Sequence, residues 1–175
     1  FNNIPPEIKG SITNLDLGKV NVAGFDFSAF RNLKTLDLGA AEGLTAELFN
    51  NIPPEIKGSI TNLDLGEVSV TGFDFSAFRN LRTLDLGTAK GLTADLFNSI
   101  SPETKSSIED LDLGNRLTTG FDFSAFSNLK SLSLSASNNL ATEQLNSIPN
   151  KSSIETLELI GCIRRFDFSG FRNLK

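Results

Sequence analysis

Carboxylates are the most regularly spaced chemical groups in this 175-residue chain. Seven segments read Leu-x-Leu, and the residue between the leucines is Asp16, Asp37, Asp64, Asp85, Asp112, Ser133 and Glu158 in turn. Two carboxylates that converge can work as acid and base, and a cluster of converging oxygens can hold calcium. A row of single acids does neither. It is a poor cage for a cation and offers instead a strip of negative charge that attracts basic groups. Other chemistry lacks its parts. The chain contains no His, hence no imidazole base and no histidine metal site. Cys162 is the single cysteine and falls in a mostly apolar column, so a buried, unreactive thiol is expected and an intrachain disulfide is excluded. No phosphate loop of the form GxxxxGK[ST] occurs. The expectation is no catalytic residue, no metal and no cofactor.

The acids are positioned by an internal repeat. Residues 1–48 and 49–96 align without a gap and differ only at Lys19/Glu67, Asn21/Ser69, Ala23/Thr71, Lys34/Arg82, Ala40/Thr88, Glu42/Lys90 and Glu47/Asp95. A third block runs from Phe97 to Gln144, and a partial fourth starts at Leu145 with two residues lost in a loop. Each block holds two units, because Leu15 to Leu36 spans 21 residues and Leu36 to Leu63 spans 27. Such a period marks stacked units, none of which buries its apolar side alone.

Strands are expected at residues 14–17, 35–38, 62–65, 83–86, 110–113, 131–134 and 156–159, with Leu15 and Leu17 inward and Asp16 outward. In the long units Leu44, Leu48 and Ile52 share a helical face, and Thr45 is a candidate N-cap. This predicts helices near 45–52, 93–100 and 141–147, and one near 1–4. Pro53 and Pro54 stop the first of these, and Pro54-Glu55-Ile56 suits one further turn. In the short units Phe25, Phe27 and Phe30 are read as core on the side away from the acids.

The motif Leu33-Lys34-Thr35-Leu36-Asp37-Leu38 and its copies resemble the leucine-rich repeat, and the resemblance covers the whole chain in seven units. It implies an α/β fold: a right-handed solenoid with a concave parallel β-sheet and short convex helices in alternate units. Residues 1–175 would form one array, expected to be a fragment of a longer one. The ninth column reads Val20, Ala41, Val68, Ala89, Arg116, Ser137 and Cys162, where many members carry Asn. That departure is similar to the cysteine-containing, ribonuclease-inhibitor-like subtypes, and Phe-Asn-Asn-Ile-Pro is similar to the FNIP subtype. The resemblance also implies protein recognition as the function.

Charge narrows the partner. The net charge of −5 and pI near 4.8 argue against nucleic acid and against anionic lipid. No apolar run approaches the ~18 residues of a membrane span. Polar residues Asn14, Thr35, Asn62 and Thr83 precede the inward leucine and can bond across strands. Lys34, Arg82 and Lys130 stand one position earlier, within reach of the acids. A glycine column, Gly18, Gly39, Gly66, Gly87 and Gly114, leaves the other side open. Two readings stand. The row is a solvated strand motif multiplied by duplication, or it is a site for a basic protein partner along Asp16, Asp37, Asp64, Asp85 and Asp112, centred on Asp37, Asp64 and Asp85, with Lys34 and Arg82 beside them. The function expected is a non-catalytic protein-interaction module. The alternatives are a structural spacer or stalk, or the substrate-recognition part of a larger enzyme or bacterial effector. The sequence assigns no compartment and no oligomeric state.

Overall fold

The alternation of Leu and Asp makes each Leu-Asp-Leu segment a short strand with one face dry and one face wet. In the computed structural model, which describes residues 4–114, 120–135, 145–160 and 167–175, these segments form seven strands. They are β1 (Asn14–Asp16), β2 (Thr35–Asp37), β3 (Asn62–Asp64), β4 (Thr83–Asp85), β5 (Asp110–Asp112), β6 (Ser131–Ser135) and β7 (Thr156–Ile160). One sheet holds them in sequence order, and every neighbouring pair is parallel. Leucine opposes leucine and the acid column runs in register, Asp16 against Asp37 and so on to Asp112, then Ser133 and Glu158.

The first five strands stop one residue earlier than the alternation predicts. Their terminal Asp causes this, because its side chain accepts the backbone N–H two residues on and turns the chain.

The helices are α1 (Pro6–Ser11), α2 (Ala46–Asn50), α3 (Pro54–Lys57), α4 (Ala94–Ser99) and α5 (Pro102–Ser107). The expected helices at 45–52 and 93–100 are each the first of a pair, and the further turn expected at Pro54-Glu55-Ile56 is the second helix of the first pair. A proline at the first turn starts a second helix at Pro54 and again at Pro102. The N-terminal helix also begins with a proline, at Pro6, and not near residues 1–4. Thr45 caps α2, accepting from Leu48 N at 3.2 Å, and Thr93 repeats this on Leu96 N. Residues 141–144, most of the third expected helix, lie outside the described residues, as do Arg116, Ser137 and Cys162 of the ninth column.

Phe49 and Ile52 are the buried residues of the α2 segment, with Leu44 and Leu48 only half-buried. The reason is aromatic stacking between units. Phe49 lies 4.1 Å from Phe73 with ring planes 12° apart, and Phe97 meets Phe121 at 4.4 Å and 14°. Phe25, Phe27 and Phe30 are buried as expected, as are their copies Phe73, Phe75, Phe78, Phe121, Phe123 and Phe126. Asparagines clamp the units together. Asn50 Nδ2 donates to Gly72 O at 2.9 Å while its Oδ1 accepts from Asp74 N at 2.8 Å, and Asn98 does the same to Gly120 and Asp122.

Candidate functional site

All five sequence-predicted aspartates stand on one face of the sheet. Asp16 is exposed, whereas Asp37, Asp64, Asp85 and Asp112 are half-buried. Asp16, Asp37, Asp64 and Asp85 form the floor of an open trough of about 630 Å³ that also takes in Lys19 and Glu67. A second recess, about 350 Å³, continues over Asp85, Asp112, Ser133 and Glu158. The row therefore crosses every strand.

Each carboxylate has one structural duty. Oδ1 of Asp16, Asp37, Asp64, Asp85 and Asp112 accepts the N–H of Gly18, Gly39, Gly66, Gly87 and Gly114 at 2.7 to 2.9 Å. No further hydrogen bond or ion pair is made by these acids among the described residues. The glycines are needed for a second reason. A Cβ at Gly39 would lie 2.7 Å from Oδ1 of Asp64 in the next unit, and one at Gly87 would lie 3.3 Å from Oδ1 of Asp112.

The electrostatics are unfavourable to ionised acids at the centre of the row. Burial raises the carboxyls of Asp64 and Asp85 above the usual aspartate range, and neighbouring acids add to the rise; the glycine N–H opposes it. The acids of the Phe-Asp-Phe-Ser segments behave oppositely. Asp74 and Asp122 are held below the usual range, chiefly by the N–H of Ser76 and Ser124.

The expected pairing of Lys34, Arg82 and Lys130 with the row is corrected by the structure. Arg82 and Lys130 both pair with Glu109, Lys130 at 2.6 Å, and Lys175 pairs with Glu155. Lys34 makes no ion pair among the described residues. These cations stand three positions before the acids, about 10 Å away, and the nearer Glu109 in their own column takes Arg82 and Lys130. Of the polar column, Asn62 bonds across to Thr83, Nδ2 to Oγ1 at 3.1 Å.

No family model matches the chain, and no curated protein matches it. Among solved structures it is similar to an internalin from Listeria monocytogenes, with 18% identity and a TM-score of 0.54 over 89% of this chain. Internalins are leucine-rich-repeat proteins with a parallel-strand sheet. The fold is that of a leucine-rich-repeat solenoid. The chain spans about half of the internalin it matches.

Two further residues of the solenoid escaped the sequence reading. Lys57 is only 3% exposed, and its Nζ lies 3.3 Å from both Asn50 O and Asp74 O. The faces of Phe49 and Phe78 flank it, at 5.2 and 5.7 Å. Lys105 repeats the arrangement with Asn98 O, Phe97 and Phe126. Burial lowers both ammonium groups below the ordinary lysine range, with the nearby aspartates opposing. The signal was present in the sequence, since Lys9, Lys57 and Lys105 share one column of the repeat. On the solenoid these lysines are pillars between units, remote from the acid row. Among the described residues no group of three or more His, Cys, Asp or Glu is placed to hold a metal ion, and no helix is long and apolar enough to cross a membrane.

Proposed function

We propose that the solenoid is a protein-interaction module whose acid row receives basic side chains of a protein partner. The observation that carries this reading is the unneutralised row itself. Five aspartates stand in adjacent strands with no cation on any of them among the described residues, and Arg82 and Lys130 beside them pair with Glu109 instead. Like charges 4 Å apart repel by roughly 1 kcal/mol in water and ~4 kcal/mol at an effective dielectric of 20. The strand does not require the acid, because β6 forms with Ser133 in that column. A partner that neutralises the row removes the repulsion, and the open trough gives it access.

A structural spacer is the second reading. The Asp-to-Gly hydrogen bonds favour it, since they give every acid of the row a local duty without a partner. The triple variant Asp37→Asn, Asp64→Asn, Asp85→Asn separates the two, because Asn keeps an acceptor for the glycine and loses only the charge. Quantitative partner recovery with the wild-type and variant solenoids, at low and high salt, is the measurement. The interaction reading expects recovery that falls with the substitutions and with salt. Equal recovery of every partner by the variant overturns it in favour of the spacer.

A further inference from the structure

The column at the strand entries carries an alternating charge pattern that is complete at one end and interrupted at the other. In order it reads Thr13, Lys34, Thr61, Arg82, Glu109, Lys130, Glu155 and Lys175, and each N–H donates to the carbonyl of the residue before, at 2.7 to 2.9 Å. From Arg82 onward the signs alternate. Glu109 is shared by Arg82 and Lys130, and Glu155 binds Lys175 while also attracting Lys130. Continued backward, the alternation calls for an acid between Lys34 and Arg82. Thr61 stands there instead.

The gap coincides with a recess of about 330 Å³ lined by Lys34, Ser59, Thr61, Asn80, Arg82 and Glu109 among others. The neutral donors of its lining are already engaged. Ser59 Oγ donates to Leu33 O at 2.7 Å, Asn80 Nδ2 to Gly58 O at 2.7 Å, and Thr61 Oγ1 has Asn62 Oδ1 at 2.8 Å and Lys34 O at 3.2 Å as acceptors. Three charged groups line this recess: Lys34, unpaired among the described residues, Arg82, whose contact with Glu109 engages one guanidinium nitrogen, and Glu109 itself, already shared by Arg82 and Lys130.

We propose that this recess is a subsite for a carboxylate of the protein partner, an Asp or Glu side chain seated over Thr61 between Lys34 and Arg82. Two strand spacings separate the cations, about 9.6 Å, so a carboxylate midway stands ~5 Å from each column. Glu109 bridges Arg82 and Lys130 across the same spacing two strands further on. The planar guanidinium of Arg82 retains donors for a second carboxylate. This rests on the reading of the sheet face as a partner surface and adds a term to it. The partner presents basic groups to the acid row and one acid about 10 Å away, three residues along the strand.

The test uses the capped tripeptide Ac-Gly-Glu-Gly-NH2 as probe, with Ac-Gly-Gln-Gly-NH2 as control, titrated into the whole chain and followed by NMR. Saturable shifts confined to Thr61, Lys34 and Arg82 are expected with the Glu peptide and not with the Gln peptide. Lys34→Gln with Arg82→Gln should weaken binding about tenfold, since each exposed pair contributes a few-fold. Thr61→Glu should abolish it and raise the melting temperature, because the chain then supplies its own carboxylate. Shifts spread evenly over all lysines, or binding that survives Thr61→Glu, overturn the subsite. The triple Asn variant of the acid row should bind the probe at least as well as wild type, because it removes negative charge about 10 Å away. Its continued recovery of every partner would overturn the acid-row reading and leave the subsite's own outcome readable.

Discussion

Asp64→Asn measures whether the acid row is held against its own repulsion. Asn preserves volume and the Oδ1 acceptor for Gly66 N–H. The loss is the charge-assisted part of that bond, about 1 kcal/mol. The gain is relief from Asp37 and Asp85, one strand away on either side, each worth about 1 kcal/mol in water and more where solvent is partly excluded. Burial acts in the same direction and is the leading cause of the raised carboxyl. The balance favours the neutral side chain, so Asp64→Asn should stabilise by about 1–2 kcal/mol at neutral pH, a melting rise of roughly 2–8 °C for a chain of this size. The pH dependence fixes the cause. A folded pKa raised above the unfolded value means the native state binds the proton more tightly, so the penalty is absent below the ordinary value of 3.8 and grows as pH rises through the folded pKa. The gain should be larger at neutral pH than at about pH 4 and should vanish well below 3.8. Asp74→Asn is the control with the opposite sign. Its lowered pKa gives stability that is present above 3.8 and lost as pH falls through the folded value, so this variant should be weaker at neutral pH. Thermal unfolding followed by circular dichroism at the two pH values reads both. A destabilised Asp64→Asn at neutral pH, or a gain equal at both pH values, would refute the reasoning.

Three glycines of the same column should differ sharply when each is replaced by Ala. Gly114 has φ +50° and its new Cβ would overlap Gly87 O, Gly39 would press on Asp64 Oδ1, and Gly66 meets only its own Asp64 at 3.2 Å and Thr88 at 3.8 Å. Denaturant midpoints should rank Gly114→Ala lowest, costing more than about 1 kcal/mol, with Gly39→Ala between it and Gly66→Ala. Lys57→Ala should destabilise by about 3 kcal/mol through lost ring contacts, orphaned carbonyls and a cavity, whereas Lys19→Ala at an exposed site should stay within ~0.5 kcal/mol; urea unfolding separates them. Thr45→Ala and Thr93→Ala should each lose about 1 kcal/mol of cap stability, checked by the same unfolding curves, and equal losses are expected because their cap bonds are identical at 3.2 Å.

The sheet was legible in the sequence because its cause is local and repeated seven times. Leucine spacing fixes which residues pair, and the acid column follows from alternation alone. The purpose of each acid was less legible. Asp-x-Gly reads as charge beside flexibility, and only the backbone shows Asp64 Oδ1 holding Gly66 N while leaning over Gly39. Cation partners were misread for a related reason. Distance along the strand places Lys34, Arg82 and Lys130 near the row, but side chains of one column lie about 4.8 Å apart across strands, and Glu109 competes from there. The turn after Pro53 was legible because a proline suits the first helical position, whereas its counterpart at Pro102, with Ser101 in place of the first proline, went unread. Lys57 and Lys105 were overlooked because lysine is rarely buried, and its repetition in a column beside Phe was the clue.

The asparagine clamps, strand ladders and phenylalanine stacks all join residues fewer than 30 positions apart; the hydrogen bonds given above span at most 27. Such short-range closure makes assembly fast and lets it begin in any unit, with neighbours zipping on afterwards. It also makes the blocks interchangeable. Asn50 grips Gly72 as Asn98 grips Gly120, and residues 1–18 repeat unchanged at 49–66. A gene that gains or loses one whole block therefore encodes a chain in which every clamp still finds its mate, and the unit two residues shorter between β6 and β7 still sets Leu132 against Leu157. Array length is free to vary in steps of one block, and with it the number of acids displayed in a row.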